Sequence, residues 1–165
     1  MFWKSWVQVG LTSAALSLSV IPAHAAIVAY NFTVTPDSGP LAGNTYFGSF
    51  SFSDETLTGV GEEFLPESAI TAINFNFVGE NYTLADALSA GVQFQEGEFL
   101  GLEYVTDAVF AFAPGLTELE SASFSYDLPS GAGFGDVSYT LVPEPSVLLG
   151  SIVLGVTGLA KRLKK

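Results

Sequence analysis

Over residues 26–142 the chain has no lysine, arginine, histidine or cysteine. The five basic side chains are Lys4, Lys161, Arg162, Lys164 and Lys165, and the one histidine is His24. Of the 17 Asp and Glu residues, only Glu144 lies outside the same stretch. Seventeen acids less Glu144, against no base, give this body a formal charge of −16. Its side chains have no cation for a salt bridge, no thiols for a disulfide and none of the His and Cys ligands of ordinary zinc sites. Like charges repel across its surface and oppose compaction. The body must therefore stand on its apolar core alone, and its length is ordinary for one domain.

The same absences exclude functions. With no cation to neutralise phosphates, the body binds no nucleic acid. Histidine-dependent triads and thiol catalysis cannot be assembled. Glycoside hydrolysis runs on two carboxylates, and Asp54 with Glu55, Glu62 with Glu63, and Glu96 with Glu98 are adjacent or nearly so. These acids fall mostly in or beside expected turns, with nothing to bury a pair, so the chain is read as a non-enzyme. Calcium, which takes carboxylate and carbonyl oxygens on loops, is the one cofactor with a candidate site. Asp54, Glu55, Glu62 and Glu63 flank the glycine-bearing loop 57–61. The alternative for these four is a solvated acidic face.

The body reads as β structure almost throughout. Val28, Tyr30, Phe32 and Val34 alternate with Ala29, Asn31, Thr33 and Thr35, the period of a half-buried strand. Pro36-Asp37-Ser38-Gly39-Pro40 breaks the chain. Tyr46, Phe50 and Phe52 then face one way, with Phe47, Ser49, Ser51 and Ser53 opposite. Thr71, Ile73, Phe75 and Phe77 form the next alternating set, with Tyr82 and Leu84 following a turn at 79–81. Residues 92–95 and 99–105 flank Glu96-Gly97-Glu98, a hairpin signal. Short strands are expected at 109–113, around Phe124, Tyr126 and Leu128, and around Val137, Tyr139 and Leu141. Residues 84–90 have room for one helical turn. Eight to ten such strands predict an all-β fold, an antiparallel sandwich of jelly-roll type or a small barrel. The aromatic residues are expected in its core, with a ring-lined glycan surface as the alternative.

The two ends carry the address. Residues 1–25 read as a secretory signal: Lys4, an apolar segment, the helix breaker Pro22, then Ala23-His24-Ala25 with small residues for cleavage before Ala26. Residues 143–165 begin with Pro143-Glu144-Pro145, where both prolines lock an extended, stiff peptide. An uncharged run over 147–160 follows, about 21 Å long as a helix against about 30 Å of bilayer hydrocarbon. Lys161, Arg162, Lys164 and Lys165 close the chain as a basic stop that stays cytoplasmic. The sequence thus predicts three parts: a signal helix at 1–25, a β domain at 26–142, and a hinge with a hydrophobic helix at 143–165.

That tail, with Val142-Pro143-Glu144-Pro145-Ser146, the short apolar run and the Arg/Lys end, resembles the PEP-CTERM sorting signal of Gram-negative and cyanobacterial surface proteins. The resemblance implies export, an inner-membrane intermediate held by the tail, and recognition by an exosortase, with these residues as substrate. Signal peptidase and exosortase are the implied partners, and extracellular polysaccharide is the implied surrounding. A plain C-terminal membrane anchor is the alternative. The body is also similar to a group of cyanobacterial PEP-CTERM proteins of unknown role. That likeness rests on Tyr30-Asn31-Phe32-Thr33-Val34-Thr35, Ser38-Gly39-Pro40-Leu41-Ala42-Gly43, Tyr46-Phe47-Gly48-Ser49-Phe50-Ser51-Phe52, Leu57-Thr58-Gly59-Val60-Gly61, Phe75-Asn76-Phe77 and residues 97–102, and implies no activity.

Overall fold

The computed structural model describes residues 26–107 and 109–143. The expected signal helix, hydrophobic helix and basic stop lie outside the described residues, as do Ala23, Ala25, Glu144 and Pro145. Ten strands follow in chain order: β1 (Ile27–Pro36), β2 (Tyr46–Ser53), β3 (Glu62–Pro66), β4 (Ile70–Phe77), β5 (Glu80–Thr83), β6 (Ala87–Gln95), β7 (Glu98–Thr106), β8 (Phe110–Ala113), β9 (Ser123–Leu128) and β10 (Gly131–Val142). All pair antiparallel in one sheet of order β3-β6-β7-β8-β9-β10-β1-β2-β4-β5. The all-β antiparallel expectation holds. The pairing runs unbroken through all ten strands, so the fold is one curled sheet.

The curl is visible in ring contacts between strands far apart in the sheet order. Tyr30 on β1 stacks on Phe99 of β7 with centroids 4.3 Å apart. Phe75 on β4 meets Phe110 of β8 edge-on at 5.2 Å, and Phe52 on β2 meets Phe94 of β6 at 5.7 Å. One face of the sheet thus closes on itself around a single core. Phe75 touches five other rings, those of Phe32, Phe77, Phe110, Phe112 and Phe124. Such edge and offset contacts each add about 0.5–1.5 kcal/mol beyond area burial. Among the described residues, every strand pairing and the whole core fall within 27–142.

Two strand pairs turn on two-residue loops with positive φ at both central positions: Val78-Gly79 (52° and 87°) and Glu96-Gly97 (50° and 81°). This geometry matches the strand twist and favours Asn or Asp before Gly. Val78 is a β-branched residue in a left-handed conformation, at a cost of about 1–2 kcal/mol. The free edges are blunted: β3 carries Glu62, Glu63 and Pro66, and β5 is four residues long and opens on Glu80.

Two local expectations change, at Thr71 and at residues 62–66, and the single turn expected within 84–90 is present. Ile70, not Thr71, is buried, because the β2–β4 register shifts between Ser51 and Phe52 and pairs Phe52 with Ile70. The helical turn within 84–90 is a 3-10 turn (Leu84–Asp86), where the Thr83 N–H and hydroxyl both donate to the Asp86 carboxylate, before β6 begins at Ala87. Strand β3, absent from the sequence reading, pairs Glu62–Pro66 with β6.

Two glycines let rings lie flat on the sheet. A Cβ on Gly48 would sit 2.2 Å from Phe32 Cζ, and Phe32 is 2% exposed with nowhere to move. A Cβ on Gly91 would sit 2.0 Å from Phe64 Cζ, but Phe64 is 50% exposed and can swing outward. Gly48→Ala is therefore expected to lower stability by about 2–3 kcal/mol and Gly91→Ala by less than about 1 kcal/mol. Urea unfolding of the two variants checks this, and equal losses contradict it.

Candidate functional site

The acidic stretch after β2 is the leading site in the sequence, and the structure gives three of its four carboxylates separate partners. Asp54 Oδ1 accepts the Ala26 backbone N–H at 2.8 Å. Glu63 accepts from the Thr58 N–H at 2.7 Å and the Thr58 hydroxyl at 2.9 Å, and its other oxygen from the Gly59 N–H at 2.7 Å. Glu62 accepts from the Gln93 side-chain amide at 2.9 Å. Glu55 lies at the rim of a shallow cavity of about 190 Å³ with Ser53, Thr56 and Pro66. Among the described residues no group of three or more Asp, Glu, His or Cys side chains is placed to hold a metal. Glu63 is a loop staple: first the Thr58 amide, then the Thr58 hydroxyl and the Gly59 and Val60 amides hold its carboxyl below the ordinary 4.5, against the opposing pull of desolvation.

A second staple fixes the β1–β2 loop, where the sequence carries Ser38-Gly39-Pro40-Leu41. The Tyr126 hydroxyl donates to the Ser38 carbonyl at 2.9 Å and accepts the Leu41 N–H at 3.0 Å. A side chain at Gly39 or Gly133 would strike that hydroxyl, each ideal Cβ lying 2.5 Å from it. The other buried phenols also serve the fold. Tyr104 donates to the Thr83 carbonyl at 2.6 Å, and Tyr139 accepts the Leu102 N–H at 3.3 Å. Burial raises both above the ordinary phenol range, helped at Tyr104 by Asp86 and opposed at Tyr139 by the Leu102 bond. Burial, then Glu98, raises Tyr30 likewise.

An open groove of about 350 Å³ runs along β7–β9 beside Val105, Val109, Ala111 and Asp127. The Thr106 hydroxyl beside it is engaged with the Phe110 carbonyl and N–H, at 3.1 and 3.2 Å. The groove brings together the Asp127 carboxylate and the Tyr126 phenol, whose hydroxyl is already engaged with the Ser38 carbonyl and the Leu41 N–H.

What the sequence reading missed is a charge-free face. Outward positions of β10, β1, β2, β4 and β5 line up across the strands in two rows: Thr140, Asn31, Ser49, Asn74, Thr83; and Ser138, Thr33, Phe47, Asn76, Asn81. Neighbours in a row stand about 4.8 Å apart from strand to strand. Ala29, Ser51 and Ala72 extend the face, and the Ser51 and Thr71 hydroxyls share a 2.7 Å hydrogen bond. Asp136, Glu80 and Asp86 stand only at its rim. Phe47 projects from the middle, 65% exposed. The other exposed rings, Phe64 and Phe134, lie on the edge strand β3 and at the start of β10, so the three do not form an aromatic row. The signal was present in the sequence as the uncharged residues alternating with the inward aromatics.

Comparison with protein-family models, with curated proteins and with solved structures returned no match. Among the described residues no helix is long and apolar enough to cross a membrane.

The Glu63 staple has a pH signature. A depressed folded pKa means that its contribution is present above 4.5 and is lost as pH falls through the lower folded value. The Thr58 and Gly59 amide resonances are expected to titrate together with a midpoint below 4.5, and to lose that titration in Glu63→Gln. Added Ca²⁺ is expected to leave them in place. A midpoint at or above 4.5, or a saturable Ca²⁺ shift, contradicts the assignment.

Proposed function

We propose that the chain is an exported, non-enzymatic surface or extracellular-matrix protein, sorted through its PEP-CTERM-like tail by an exosortase. The observation that carries this reading is the order of signals in one sequence. A cleavable export signal precedes a cation-free acidic body, and Pro143-Glu144-Pro145, a short apolar run and a basic stop follow it. The body supports the reading in its composition and packing. Its aromatic rings fill a core, and its carboxylates hold loops or meet solvent. The two facing halves of the curled sheet act as the layers of a jelly-roll-like sandwich, a rigid unit suited to display. Signal peptidase and exosortase are its processing partners, and the inner membrane is its way-station.

The test is the intact mass of the protein recovered from the host's cell surface and medium. Processing predicts a chain that starts at Ala26 and ends near Pro145. A mass that retains residues through Lys165 makes the protein a permanently tail-anchored one instead.

A second reading is favoured by one feature, the neutral face around Phe47. A body of charge −16 repels polyanions, whereas rows of hydroxyl and amide groups around an exposed ring suit a neutral polysaccharide. Phe47→Ala is expected to reduce co-sedimentation with a neutral insoluble polysaccharide by about tenfold, the ~1.4 kcal/mol of one well-placed ring, at unchanged stability. Undiminished sedimentation, or preference for an anionic polysaccharide, contradicts this reading.

A further inference from the structure

The Ala26 N–H sits 2.8 Å from Asp54 Oδ1, and the Asp54 N–H returns to the Ala26 carbonyl at 3.2 Å. This pair is the rung of the β1–β2 ladder that follows Ile27 with Ser53. Both residues are half-buried. Ala26 is also the residue that cleavage after Ala23-His24-Ala25 would leave at the N-terminus. We infer that cleavage converts the Ala26 amide into an ammonium seated on Asp54, making the only ion pair of the body and fastening β1 to the β2–β3 loop. The inference rests on the export reading above.

Chemistry and position both support the assignment. No side chain in 26–142 carries a positive charge, so the new ammonium is the only cation this stretch acquires on maturation. An α-amino group is protonated at neutral pH, with an ordinary pKa of about 7.7–8.0. In the uncut chain Asp54 accepts from a neutral amide. After cleavage the donor is charged, and a charge-assisted hydrogen bond is roughly twice as strong. The geometry needs no rearrangement, because the nitrogen already stands at hydrogen-bond distance. Asp54 is thus a positioning residue for the mature N-terminus rather than a calcium ligand. After cleavage the stretch 26–142 holds a single reactive amine, the Ala26 α-amino group, because it has no lysine.

That single amine supplies the test. The processed protein recovered from the host is compared before and after acetylation of its α-amino group, in the natural sequence and in Asp54→Asn. Glu55→Gln serves as the control that removes a neighbouring charge without touching Ala26. In urea unfolding, acetylation is expected to lower the folded-to-unfolded ratio about twofold to fivefold, as a half-exposed ion pair allows. Asp54→Asn is expected to do the same in the free-amine protein and to lose that effect once the amine is blocked. Glu55→Gln should be neutral or stabilising in both forms. An Ala26 N-terminus with no effect of acetylation, or an Asp54→Asn effect equal in both forms, overturns the ion pair alone. A mature N-terminus other than Ala26 overturns the cleavage-site reading and the ion pair with it.

Discussion

Everything in this structure answers to one constraint: sixteen carboxylates and no cation must share one small domain. Salt bridges between side chains are unavailable, so cohesion comes from apolar burial, and aromatic residues supply most of it. Phe32, Phe50, Phe75, Phe77, Phe112 and Phe124 are all at or below 2% exposure and interlock at edge and offset geometries. The curl of the sheet follows from that core, because only a sheet folded on itself brings β1, β2 and β4 onto β6 to β9. The first and last strands pair with each other, so the sheet is complete only when the chain reaches β10.

The carboxylates themselves are put to use with neutral partners. Asp54 takes the Ala26 amide, Glu63 the amides of Thr58 and Gly59, and Asp86 that of Thr83. Glu62 takes the Gln93 amide and Glu103 the Ser89 hydroxyl. Backbone and side-chain donors stand where lysine or arginine would stand in an ordinary protein. Among the described residues, Asp54, Glu55, Glu62 and Glu63 form no group of three placed to hold a metal. Acids close in sequence face different loops and have separate hydrogen-bond tasks. This arrangement also sets off the face around Phe47, where charge is absent from two full cross-strand rows.

The strands with inward aromatics were legible from period-two alternation, as in Tyr30, Phe32 and Val34 or Phe124 and Tyr126. Strand β3 was not, because Glu62, Glu63 and Pro66 are what an edge tolerates and look like loop. Thr71 was misplaced because the register shift between Ser51 and Phe52 brings Ile70 inward instead, a pairing property that no single strand records. The joining of β3 to β6 and of β10 to β1 depends on the curl and so on the whole core. At the candidate site, the tasks of Asp54 and Glu63 depend on which backbone amides the loops present. The place of Phe47 within a neutral face needed the register of five strands, although its outward direction was legible.

An aromatic core holds the body together against its own uncompensated charge. Urea unfolding as a function of NaCl tests it most directly, because salt shortens the reach of repulsion from about 30 Å at 0.01 M to about 8 Å at 0.15 M. The account predicts a midpoint that climbs steadily over that range with an unchanged slope, the mark of a more stable fold of the same compactness. A midpoint that falls with salt would show that attractive charge pairs dominate, and would contradict the account.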